Sequence, residues 1–229
     1  MASSTIGSAD LVPSGEIDVL IVGAGPAGSG AACGLARSGH RVVLVDRCEF
    51  SRDKACSEYL GPGAADLLHR LSVLEELREA GANPLTGTTV IAAHGSRLTG
   101  RFALASAHRP DAVGLSVTRR ILDDSLLRAA VRAGADFLPR TTVEDLVVED
   151  GVVRGAALRT SDGEHHTIRA RLTVGADGLR SIVARRLRGV RMAVPRRMAF
   201  VAHVHGWRKI RAVHELGHRG IVAKGSAWN

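Results

Sequence analysis

Gly23-Ala24-Gly25-Pro26-Ala27-Gly28 is a G-x-G-x-x-G string, and an acid, Asp46, stands beyond it at the end of the next apolar run. Gly23 permits a tight turn, Gly25 lets the backbone come close to a pyrophosphate, and Gly28 lets a helix lie against a strand. Pro26 suits a first helical turn, and Ala27 adds no bulk beside it. A helix opening there offers free N–H groups and a positive dipole end to the anion. Asp46 can accept hydrogen bonds from the hydroxyls of an adenosine ribose. The chemistry so specified is dinucleotide binding; the plainer alternative is a glycine-rich turn with no ligand.

A second string, His214-Glu215-Leu216-Gly217-His218, matches H-E-x-x-H, in which two histidines one helical turn apart bind zinc and the Glu acts as base. Its context is poor. The third ligand place of the extended pattern holds Lys224 and its glycine place holds Ile221, which leaves two protein ligands. No metal ligand is assigned, and the string is read as a strand or helix edge. No Ser-His-Asp order, paired-carboxylate site or P-loop stands out, so the catalytic residues are unknown.

The dinucleotide string needs a strand before it and a helix after it, and both are legible. Ile17 to Val22 is a continuous apolar run suited to a strand buried on both faces, Ala27 to Arg37 is rich in helix formers, and Gly39 stands at the helix C-cap. Arg41 to Val45 returns as a second buried strand, which makes a β-α-β unit with parallel strands. Two short helices are expected at Ala64 to Leu71 and Val73 to Ala80, ended by Asn83-Pro84. Thr88 to Ala93, Arg97 to Ala103 and Ala112 to Val117 read as strands, and Ile121 to Ala133 as a helix with Leu122, Leu126, Leu127 and Val131 on one stripe. Thr142 to Val148, Val152 to Arg159 and Glu164 to Ala170 alternate apolar and polar residues around Asp150-Gly151 and Asp162-Gly163, an antiparallel meander. Leu172 to Gly175 reads as a further buried strand, with Ser181 to Leu187 as a short helix beyond it.

At 229 residues, 45% apolar and 24% charged, the chain suits a globular protein with a sizeable core. No apolar run approaches a membrane span, and the N-terminus lacks the features of a signal peptide, so a cytoplasmic location is expected. Cys33, Cys48 and Cys56 give neither an even disulfide count nor a zinc pair. The net charge of +8 is local: residues 178–229 hold twelve Lys/Arg against the single acid Glu215. That stretch is no plain basic arm, since Met198 to Val204 is an apolar run and its aromatics are limited to Phe200, Trp207 and Trp228, so no nucleic-acid partner is expected.

Four patches in order resemble the flavoprotein monooxygenases and the related geranylgeranyl-reductase-like proteins. They are GAGPAG with Asp46-Arg47; Arg52-Asp53-Lys54-Ala55-Cys56-Ser57-Glu58 followed by Leu60-Gly61-Pro62; Arg119 in VTRRILDDSLL; and Gly175-Ala176-Asp177-Gly178 with Ser181. The resemblance spans residues 17 to about 187. It implies an α/β Rossmann-like FAD-binding domain with a parallel sheet, an antiparallel β-meander and an incomplete β-rich substrate domain. The expected boundaries are a flexible N-terminus at 1–15, the FAD-binding domain at 16–84 and 118–188, and the substrate domain at 85–117 and 189–229. The resemblance further implies FAD as cofactor, NAD(P)H as co-substrate and a small organic substrate.

Residue by residue, it implies that Asp46 and Arg47 hold the adenosine end and that Arg119 lies beside the FAD phosphates. Val143 would bond the adenine through its backbone, and Asp177 would serve flavin and nicotinamide handling. Each has a plainer reading: Arg119 as an exposed helix-start residue, Val143 as core, Asp177 as a turn former. The late Gly-Asp flavin motif of the family is not found after residue 190, so the chain is expected to be a truncated form. The expectation is weak flavin retention, slow turnover, and self-association through an open β edge carrying Ala199, Val201 and Val204. An NAD-dependent dehydrogenase, a non-catalytic FAD-binding fragment and, last, an HExxH zinc hydrolase remain as alternatives.

Overall fold

In chain order the first elements are β1 (Ile17–Val22), α1 (Pro26–Arg37), β2 (Val42–Val45), β3 (Tyr59–Leu60), α2 (Pro62–Arg70), α3 (Leu74–Glu79), β4 (Asn83–Leu85), β5 (Gly87–Ile91) and β6 (Arg97–Arg101). They are followed by β7 (Gly114–Ser116), α4 (Arg119–Arg132), β8 (Asp136–Leu138), β9 (Thr142–Glu149), β10 (Val152–Arg159), β11 (His165–Gly175), α5 (Ile182–Arg186) and β12 (Val213–Gly217). This computed structural model describes residues 15, 17–56, 58–91, 94–102, 113–187, 190 and 213–217. The chain divides into two compact units, 1–52 with 123–194 and 53–122 with 195–229.

The first unit is built on a six-stranded sheet in the order β8-β2-β1-β11-β10-β9. β8, β2, β1 and β11 run parallel, whereas β11, β10 and β9 form the antiparallel meander. The β1-α1-β2 unit has the expected limits to within a residue, and Gly39 follows the helix with φ +84°. Asp150 and Gly151 both take positive φ, the backbone of the two-residue hairpin that joins β9 to β10. Leu20, Val22, Val43 and Val45 of the parallel strands share one buried cluster with Leu158 and Ile168 of the meander. Val42 and Leu44, at the alternate positions of β2, are fully buried too, and α1 packs against β2. Burying each such side chain contributes about 1.5–3 kcal/mol.

Three expectations change here. Leu172 to Gly175 is not a separate buried strand; it is the far end of the eleven-residue β11, and Leu172 is 54% exposed. One strand therefore pairs antiparallel with β10 in its first half and parallel with β1 in its second. The parallel strand β8, between the helix α4 and the meander, was not foreseen. On α4, Leu122, Leu126 and Leu127 are buried, but Val131 is 48% exposed and Ala129 and Ala130 are buried in its place, so the inward stripe is rotated.

The second unit holds two three-stranded sheets. One has the order β3-β7-β4, antiparallel throughout, so Asn83-Pro84 both ends the helical stretch and enters a strand. Leu68, Leu77, Leu85 and Leu115 are buried in this unit. The other sheet has the order β12-β5-β6, with β12 parallel to β5. The expected flexible N-terminus, apart from Gly15, and the apolar run with Ala199, Val201 and Val204 lie outside the described residues. Among the described residues no helix is long and apolar enough to cross a membrane.

Candidate functional site

The chain leaves β1 at Gly23, whose φ of +101° lies where L side chains are strained and whose N–H donates to the Val45 carbonyl at 2.8 Å. A Cβ here would stand 2.5 Å from the Ala176 carbonyl oxygen and 2.8 Å from Asp177 Cα. A Cβ on Gly28 would run into the Gly23 carbonyl oxygen. The first and fourth of the sequence patches are thus packed backbone to backbone, joined by the Ala176 N–H donating to the Val22 carbonyl at 2.7 Å. Two glycines make this approach possible.

Gly25 is the N-cap of α1, with Pro26 in the first turn, and no side chain caps the helix. A Cβ on Gly25 would meet only an Arg52 guanidinium nitrogen, at 4.0 Å, among the described residues. Ala27 is exposed, and Gly25 and Pro26 are half-buried. The helix start is therefore an accessible surface of uncapped backbone with a positive dipole end, the geometry that receives a phosphate.

Asp46 is buried, with one carboxylate oxygen accepting from the Ala24 N–H at 2.8 Å and the other from the Cys48 N–H at 2.9 Å. It braces the glycine loop itself, a role the sequence does not announce. Arg47 beside it is exposed. The Thr141 N–H donates to the Asp46 carbonyl at 2.9 Å, which brings the start of β9 to the same place. Val143 is the second residue of β9, its side chain part of the buried cluster, on the outermost strand of the sheet. Asp177 accepts from the Ile182 N–H at 2.6 Å through Oδ2, while its Oδ1 is buried without a partner among the described residues. Gly23, Gly25, Pro26, Ala27, Gly28, Asp46, Arg47, Val143 and Asp177 all lie in the first unit; Arg119 opens α4 in the second.

Sequence reasoning missed Arg52 and Phe50 as site residues. The Arg52 guanidinium stacks 4.9 Å from the Phe50 ring centroid, and its Nη2 lies 3.8 Å from Asp46 Oδ2. The second sequence string does not form the helix its zinc reading needs: His214 to Gly217 lie in β12. An extended backbone advances about 3.3 Å per residue, so the one-turn spacing of the zinc motif is lost. Among the described residues no group of His, Cys, Asp and Glu is placed to hold a metal ion.

The parallel strand order, the glycine turn into a helix and the acid at the end of β2 define a Rossmann-type dinucleotide-binding protein. A family model, FAD binding domain, matches residues 16–218, and the chain belongs to that family. The menaquinone reductase of Mycolicibacterium smegmatis is 38% identical over 172 residues, which cover 73% of this chain and 39% of the relative. Digeranylgeranylglycerophospholipid reductase 1 of Methanococcoides burtonii is 30% identical over 171 residues, 74% of this chain and 40% of the relative. A solved myxobacterial chondrochloren halogenase, a variant of FAD-dependent halogenases, superposes with a TM-score of 0.69 at 30% identity, covering 75% of this chain and 39% of its own. The chain spans about two fifths of the length of these relatives. FAD is the family's cofactor, and an uncapped helix start, a Cβ-free space at Gly25 and an unpartnered Asp177 oxygen fit a bound dinucleotide.

Proposed function

We propose that this chain supplies the flavin-nucleotide site of an FAD-dependent oxidoreductase that consumes NAD(P)H to reduce or oxygenate a small organic substrate. The observation that carries the proposal is the open, uncapped backbone at Gly25 where α1 begins, in a chain of this family. FAD, when bound, supplies the capacity to take hydride from a nicotinamide and pass it on.

The protein's part is to bind and orient. The N–H groups at the start of α1 hold the pyrophosphate, Asp46 receives the ribose, and Asp177 Oδ1 accepts from the ligand a hydrogen bond that the protein does not provide. Arg47 and the Val143 backbone complete the adenosine contacts. The substrate domain corresponds to 85–117 and 189–229, and the location is cytoplasmic.

The test is to load the purified chain with FAD and add NADPH or NADH under anaerobic conditions. Loss of the flavin's visible absorbance with either nicotinamide is the expected result. FAD that binds but stays oxidised with both would leave a binding fragment and remove the oxidoreductase reading.

A further inference from the structure

Residues 178–191 hold five arginines and no acid, with Leu179, Leu187 and Val190 set among them. The chain turns where β11 ends, because Gly178 has φ +79°, and the turn Gly178–Arg180 runs into α5. That turn is fastened from behind. Asp177 Oδ2 accepts from the Ile182 N–H at 2.6 Å, Ser181 Oγ accepts from the Ala184 N–H at 2.9 Å, and Val183 anchors α5 in the core cluster. Leu179, by contrast, is 71% exposed. Arg185 Nη1 donates to the Arg180 carbonyl at 2.9 Å, which sets Arg185 against the turn that carries Leu179. Arg186 is paired with Asp145 at 2.9 Å, but among the described residues the exposed Arg180 and Arg185 have no carboxylate partner.

A leucine held out in water beside two uncompensated guanidinium groups matches an interface that is apolar below and anionic above. Arginine can lay its stem along the apolar layer while its head stays among headgroup phosphates. We propose that Leu179, Arg180 and Arg185 dock the first unit on an anionic lipid bilayer, the charge that a cytoplasmic leaflet carries. A nucleic acid would meet the arginines and leave the leucine in water, and residues 178–191 offer no aromatic side chain for a base to stack on. A free phosphate would leave the leucine in water too. The attachment is to the surface, and it does not depend on the flavin.

The experiment sediments the full chain with vesicles of phosphatidylglycerol and phosphatidylcholine in equal parts, and with phosphatidylcholine alone. Wild type is compared with Leu179→Ser, Arg180→Gln and the double variant Arg180→Gln/Arg185→Gln, with thermal unfolding of each. Wild type should bind the anionic vesicles, leave the neutral ones, and be released by high salt but not by millimolar inorganic phosphate. Arg180→Gln should weaken binding about fivefold and the double variant about twentyfold, the scale of one and two basic side chains at a charged surface. Leu179→Ser should weaken it by about tenfold, the scale of one leucine withdrawn from an apolar layer. Tm should not change in Leu179→Ser or Arg180→Gln, whose side chains are exposed. Wild type that stays in solution with anionic vesicles, or Arg180→Gln and Leu179→Ser that bind them as wild type does, overturns the proposal. So does displacement by inorganic phosphate, which marks a discrete anion site. Release by duplex DNA together with indifference to Leu179→Ser marks a general polyanion surface and overturns it as well.

Discussion

A Cβ at Gly28 would collide with the Gly23 carbonyl oxygen, whereas one at Gly25 enters space with only a guanidinium nitrogen at 4.0 Å. Three residues apart, one glycine is closed in by backbone and the other stands open. Gly28→Ala is expected to destabilise the chain by about 1–3 kcal/mol, the usual cost of overpacking, although alanine favours a helix interior. Gly25 has φ −69°, so Gly25→Ala should change stability by less than about 0.5 kcal/mol. Urea unfolding of the two variants checks this; equal losses would show that both glycines are structural. The glycines were legible because their spacing is local. Arg52 was not, because its partners Gly25, Phe50 and Asp46 are brought together only by the loop after β2, and the Asp46 brace on Ala24 spans 22 residues of sequence.

The β1-α1-β2 unit and the two hairpins were legible from apolar runs, a cap glycine and Asp-Gly turns. The strand β11 was misread as two because its surroundings change midway: alternation marks the meander half, and an apolar run marks the half beside β1. β8 is only three residues long, too short to carry a period, although it completes the parallel sheet. Glu149 of β9 and Arg169 of β11 form an ion pair across the meander, and Glu144 accepts from Arg159 Nε at 2.6 Å. The Arg169 guanidinium holds the Glu149 carboxyl below the ordinary 4.5, and Arg159 does the same for Glu144, against a smaller opposing effect of burial. A lowered folded value means that this stabilisation is complete above 4.5 and is lost as pH falls through the folded value. Glu149→Gln should therefore cause a small fall in Tm at pH 7, small because the pair is exposed, and none once acid has protonated Glu149 in the folded chain as well as the unfolded one. A Tm difference that persists unchanged in acid would contradict the ion-pair origin.

At the scale of the molecule, the first unit carries the parallel sheet, the glycine loop, Asp46, which braces it, and Asp177, whose backbone lies against Gly23. The four patches in the sequence sufficed to indicate the family, whose match covers residues 16–218, and the first and fourth of them lie in this unit. The second unit was less legible, because its strands are short and β3 and β4 have no alternation to read. The chain spans about two fifths of its relatives, so what it binds is a more direct test than what it turns over. The central claim is that backbone at Gly25 receives the FAD pyrophosphate, and the most direct measurement is a titration of apo-protein with FAD, in wild type and in Gly25→Val. Saturable binding to wild type, abolished in a variant whose unfolding curve is unchanged, is the predicted result. Equal affinity in the two proteins, or no binding to folded wild type, would contradict it.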